Sequence, residues 1–222
     1  MPQVLERVSE QVLNEVSEQV LERASEQEAV SPTPNRIRIS RKMCEALADN
    51  DLLTGRYELI DGEIISKMGQ KPVHSTFLGV IADFLSDIFG SRYVRSQLPI
   101  ELEGTDRELN EPEPDIAVTQ KTRLSFVVRH PLPHEVLLLV EVAGTSLAFD
   151  LKVKSLLYAK AGIADYWVAD VNGRRLIVHR KPSPDGYLEI IAYSEEEFLS
   201  PLARPDAMIL VSDLMPPETA TE

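Results

Sequence analysis

Residues 136–143 read VLLLVEVA, residues 144–164 GTSLAFDLKVKSLLYAKAGIA, and residues 165–170 DYWVAD. The first run is apolar at every position but Glu141, the pattern of a strand buried on both faces and central to a sheet. The second predicts a helix with Thr145 or Ser146 as N-cap and Gly162 as its stop. The third opens a hairpin across Asn172-Gly173 into LIVHRK. Working outward, RYELIDGEIISKM predicts two short strands around an Asp61-Gly62 turn. Phe77, Val80 or Ile81, Phe84, Leu85 and Ile88 recur at helical spacing and predict a helix over about 73 to 89, stopped by Gly90. Further strands are expected at about 92 to 102, 115 to 119 and 187 to 193. Helices interleaved irregularly with strands make a mixed α/β class.

The chain has 222 residues, 43% of them apolar and 27% charged, which suits one globular domain with an appendage and excludes a largely disordered or collagen-like chain. Its net charge of −13 argues against passive adhesion to nucleic acid or anionic membrane, so a polyanion partner needs a local basic patch. Candidate contributors are Lys67, Lys71, Arg92, Arg95, Lys121, Arg123, Lys152 and Lys160. Cys44 is the only cysteine, which rules out an intramolecular disulfide and a Cys-based zinc cluster within one chain. With no signal-like start and no long apolar run, the protein reads as soluble, cytoplasmic and not membrane-bound.

Residues 4–27 are three octets, VLERVSEQ, VLNEVSEQ and VLERASEQ. Each octet rotates its apolar stripe by roughly 80° around a helix, so a straight two-helix seam would lose register. The segment 1–30 reads as an amphipathic helix of expanded repeats, with self-association as the competing reading. SPTPN at 31–35 is a linker. The folding unit is expected over 36–214, and 215–222 as a flexible tail.

Three residues sit oddly for purely structural roles. Glutamate is almost never fully buried unless paired or coordinating, so Glu141 needs a cation or an ordered partner, a core Arg or Lys being the alternative to a metal. Asp115 opens a strand after EPEP, where a loop-edge acid is the alternative. Lys154 follows Asp150 by four residues, the spacing of an exposed helical ion pair that requires no catalytic role. Together, two carboxylates on neighbouring strands and an ammonium suffice for Mg²⁺-assisted phosphodiester hydrolysis. Tyr166 and Trp167 read as core and sheet-surface residues, with base-stacking platforms as the alternative. Tyr158 either shares the site-facing surface or packs. His130, His134 and His179 have no metal-ligand spacing, and GxSxG, Walker and GxGxxG motifs are absent from the sequence.

YELIDGEI at 57–64, His74 opening the next helix, PEPDIAV at 112–118 and the stretch 140–170 resemble the Uma-type ("Uma two") family of restriction endonucleases, assigned to the PD-(D/E)XK nuclease superfamily. The likeness spans about residues 36 to 200 and leaves out the octets. It implies a restriction-endonuclease-like fold, a central mixed sheet flanked by helices, here with an N-terminal helical repeat extension. It maps the motif aspartate onto Asp115 and the glutamate onto Glu141, with Mg²⁺ or Mn²⁺ as the implied metal on those two carboxylates. The usual lysine, two residues after the glutamate, is replaced by Ala143. The likeness puts the lysine on the following helix at Lys154, with Lys152, about 200° around the helix, as competitor. His74, Glu58 and Glu63 match auxiliary positions. The implied function is a metal-dependent DNA endonuclease, with a homodimer for double-strand cutting. The rival is a nuclease-fold protein that no longer cuts and serves as a binding or assembly module.

Overall fold

The computed structural model describes residues 37–67 and 71–216. The octet repeat, the linker at 31–35 and residues 217–222 lie outside the described residues. Among these, no helix is long and apolar enough to cross a membrane.

Among the described residues the first element is a helix, α1 (Arg41–Asp49), not anticipated from the sequence; its N-cap Ser40 accepts a hydrogen bond from the Met43 amide. Strands β1 (Tyr57–Ile60) and β2 (Glu63–Ser66) form the expected antiparallel hairpin. Asp61 and Gly62 both take positive φ, 50° and 77°, as a two-residue primed turn demands. The hairpin is tied to the chain ahead of the main sheet by the Leu59–Glu111 bridge.

Helix α2 (Pro72–Phe89) begins with a proline at its first turn, where a missing N–H is harmless, and buries Phe77, Ile81 and Leu85. The strand expected over 92–102 is much shorter. It is β3 (Val94–Ser96), because Gln97 turns out of the extended region at φ 54° and Pro99 has no amide to continue a ladder.

Strands β4 (Ile116–Thr119) and β5 (Val136–Ala143) follow; β5 has the bounds expected from its apolar run. Helix α3 joins β5 to β6 (Asp165–Asp170) and is built from an α-turn Leu147–Phe149, a π-helical stretch Asp150–Lys154 and an α-segment Ser155–Lys160. Strands β7 (Arg175–Ser183) and β8 (Gly186–Tyr193) complete one six-stranded mixed sheet of order β3-β4-β5-β6-β7-β8, in which only β5 and β6 are parallel. Short strands β9 (Phe198–Leu199) and β10 (Ile209–Leu210) form a separate pair. The β6–β7 connection runs through Asn172-Gly173 as a four-residue loop with the positive φ at Arg174, not at the glycine. Gly173 is required for a different reason: a Cβ there would lie 2.3 Å from Asp170 Oδ2.

Two apolar layers cover the sheet. On one face Leu138, Val140 and Val142 of β5 pack with Phe77, Ile81 and Leu85 of α2. On the other Leu139 and Ala143 pack with Tyr158 of α3 and with Tyr166. Because side chains alternate along a strand, Glu141 shares its face with Leu139 and Ala143 and points at α3. Tyr166 and Trp167 are fully buried, as core residues should be. The core also takes in Met215, one residue past the expected end of the folding unit.

Candidate active site

The parallel pair β5–β6 and its connecting helix set the site. Glu141 is 2% exposed, in the middle of the central strand, and its Oε1 accepts two hydrogen bonds from α3: Lys154 Nζ at 2.9 Å and Tyr158 Oη at 3.0 Å. The π-helical stretch has a wider turn than an α-helix, a feature frequent at functional sites, and its acid Asp150 and the second of its two bases, Lys154, are buried. Lys154 is 2% exposed, not the surface helical cation that its spacing from Asp150 allowed. Its ammonium also lies 2.9 Å from Glu58 Oε2, while Asp150 is the most distant of its three acids at 3.9 Å. Lys152, the competing lysine, is exposed. Ser146 stands at the N-cap position with helical backbone angles and caps no amide through its side chain.

Asp115 lies at the loop edge just ahead of β4 yet is only 6% exposed, so it is not a solvated surface acid. Its Oδ2 accepts from the Val142 amide at 2.8 Å, which docks it beside Glu141, and its Oδ1 lies 3.6 Å from His74 Nε2 near the start of α2. That separation is too long for a hydrogen bond. Glu58, on β1, accepts from the Glu113 amide at 3.1 Å, so the hairpin is fastened to the segment that carries Asp115.

A cavity of about 610 Å³ opens over these groups, lined by Glu58, His74, Asp115, Glu141, Asp150 and Lys154, with Arg56, Lys67, Lys71 and Gln97 on its walls. Of the expected site residues, Asp115, Glu141, Lys154, His74 and Glu58 meet here. Glu63 does not: it pairs with Ile60 at the turn end of the hairpin, whereas the cavity is walled by the open end, Arg56, Glu58 and Ser66. Of the candidate basic residues, Lys67 and Lys71 reach the cavity. Arg95 is buried over the Phe126 ring, Lys121 binds Glu135 and Arg123 binds the Ser91 carbonyl. Arg56, Asp150, Tyr158 and Gln97 complete the site; a buried polar residue on a helix face that also carries Lys154 was the available signal for Tyr158.

Electrostatically the cluster holds more buried acid than base. Burial, reinforced by the Asp115 and Asp150 charges and opposed by Lys154 and Lys67, pushes Glu141 up to about 8. Burial likewise raises Asp150 to about 6 against the pull of Lys154 and Ser146. Burial works against a charged Lys154, but Glu141, Glu58 and Asp150 outweigh it and hold the ammonium protonated well above its usual range. Burial would raise Asp115 too; His74, Lys67 and the Val142 amide overcome it and keep that carboxyl below its ordinary value. One ammonium therefore faces several carboxylates. Oxygen-only donors short of positive charge suit a hard divalent cation. Among the described residues no three His, Cys, Asp or Glu side chains are placed to hold a metal unaided. The donor set thus fits an ion that takes one or two carboxylates and keeps several waters, as Mg²⁺ does.

Residues 44–211 match the model of a family, Uma2, described as "Putative restriction endonuclease". Among solved structures, the chain is similar to a protein described as a "putative nuclease belonging to DUF820" from Anabaena variabilis ATCC 29413, at 17% identity and a TM-score of 0.58, over 76% of this chain and 96% of that one. That likeness establishes a shared fold, in agreement with the six-stranded mixed sheet flanked by helices. No curated protein matches the sequence.

Proposed function

This chain belongs to the Uma2 family, and from that premise we propose that it is a metal-dependent nuclease that hydrolyses phosphodiester bonds in DNA. The observation that carries the reading is the meeting of Asp115, Glu141 and Lys154, from a loop edge, a central strand and a helix, in one cavity. Asp115 Oδ1 and the second oxygen of Glu141 would hold Mg²⁺ or Mn²⁺, since Oδ2 and Oε1 are already occupied by the Val142 amide and by Lys154 with Tyr158. When bound, such an ion activates water and stabilises charge on phosphoryl oxygens.

The chain's own groups do the rest. Tyr158 and Lys154 fix the Glu141 carboxylate from one side. Lys154, anchored by Glu58, keeps a permanent positive charge beside the position of attack, where it stabilises negative charge on the phosphate. Lys71, with Arg56 and Lys67, which are shared with Glu113 and Glu58, would give an acidic protein a local cationic wall for a polyanion. Cutting both strands calls for two such sites, hence a homodimer on duplex DNA.

The test is cleavage of plasmid DNA with Mg²⁺ or Mn²⁺ by wild type, Glu141→Gln and Asp115→Asn. Wild type is expected to cut, with activity abolished by chelator and reduced at least about 100-fold in each variant. DNA binding without cleavage in either metal would instead make the protein a nuclease-fold binding module.

A further inference from the structure

Gln97 borders the cavity at the bend where β3 ends. Its φ of 54° is left-handed, uncommon for a long side chain with a Cβ. Its N–H donates to the Asp115 carbonyl at 2.9 Å, so the unusual conformation is fixed against the residue just ahead of β4. Arg56 Nη1 donates to Gln97 Oε1 at 2.9 Å. A guanidinium has only donors, so the amide oxygen must face Arg56 and the amide NH₂ must face away. That Nε2 is buried and, among the described residues, meets no acceptor. Buried donors are nearly always satisfied, and strained backbone in folded proteins concentrates where a ligand is gripped.

We propose that Gln97 is a substrate-binding residue whose Nε2 donates to a non-bridging phosphate oxygen of the nucleic-acid strand, beside the bond positioned at Asp115 and Glu141. This deepens the nuclease reading and rests on it. The NH₂ group can only donate, so its ligand must present an acceptor. A phosphate oxygen is chosen over a base edge because Lys71, together with Arg56 and Lys67, which also pair with Glu113 and Glu58, places cations on the same cavity wall as Gln97. A contact of this kind fixes the strand's position without reading its sequence.

Binding of a random-sequence duplex, with Ca²⁺ in place of Mg²⁺ to prevent cutting, tests the assignment. Gln97→Gly removes the donor and suits the left-handed backbone, so it should melt at or above the wild-type temperature while affinity falls about tenfold or more. The salt dependence should stay that of wild type, because a neutral contact releases no counterion. Gln97→Glu, which puts an acceptor where the donor stood, should bind more weakly still; tighter binding would point to a base donor and overturn the phosphate assignment. Unchanged affinity in Gln97→Gly, with wild type binding normally, overturns the inference and leaves the nuclease reading intact. If both Gln97→Gly and Gln97→Asn lose stability along with affinity, Gln97 is structural and the inference is wrong. Wild type that binds no duplex would reject the nuclease reading itself, and this one with it.

Discussion

Replacing Lys154 by methionine, which keeps the length of the side chain and removes its charge, isolates the charge at the centre of the site. The ammonium is 2% exposed, lies 2.9 Å from both Glu58 and Glu141, and has Asp150 at 3.9 Å. Removing one member of a buried ion cluster leaves the other charges uncompensated, at about 3–5 kcal/mol. For a folding unit of this size about 2–4 °C of melting temperature accompanies each kcal/mol, so a drop of about 6–20 °C is expected at pH 8. The sign of the pH dependence follows from the acids. Glu141 and Asp150 have folded values raised to about 8 and about 6. An acid raised in this way favours the folded state at low pH, and that contribution is lost as pH rises through the folded value. Without Lys154 both acids should hold their protons more tightly still, so the variant's deficit should shrink at pH 5 and grow towards pH 8. Lys152→Ala is the control: its side chain is exposed, and the change should stay within about 0.5 kcal/mol. The assay is calorimetric melting of all three proteins at both pH values. Lys154→Met melting with wild type at pH 8 would refute the buried ion cluster.

Other outcomes follow from the same geometry. Mg²⁺ affinity measured by calorimetry should strengthen as pH rises towards about 8 and level off above it, because Glu141 must give up its proton to act as a ligand. Tyr158→Phe removes one of two hydrogen bonds to Glu141 Oε1 and should cost about 1–3 kcal/mol in melting experiments, with weaker metal binding. Gly173→Ala should destabilise by about 1–3 kcal/mol, because the new Cβ would press on an Asp170 carboxylate already held by the Gly173 amide and Arg175.

The sequence was most informative where chemistry and periodicity are local. The β5 run showed its bounds because both faces are buried, and Asp61-Gly62 showed its turn because few residue pairs accept positive φ twice. Glu141 betrayed itself as an acid inside apolar sequence. What stayed hidden depends on contacts between distant segments. The short β3 follows from the conformation of Gln97, which is fixed by the Asp115 carbonyl across the sheet. The choice between Lys152 and Lys154 turned on the resemblance, while the burial of Lys154 between Glu58 and Glu141 required the hairpin and β5 to be brought together. Glu63 matched a family position, yet the hairpin's direction carries it away from the cavity. Arg56 and Gln97 had no signal in isolation, since each gains meaning only through the other's hydrogen bond.

The central claim is that Asp115 and Glu141 form a cation site. Crystals grown with Mn²⁺ and measured for anomalous scattering test it directly. The account predicts a peak within about 2.0–2.3 Å of one oxygen from each carboxylate, its remaining positions filled by water. Mn²⁺ bound elsewhere on the protein, with the Asp115 and Glu141 oxygens left without metal at saturating concentration, would contradict it.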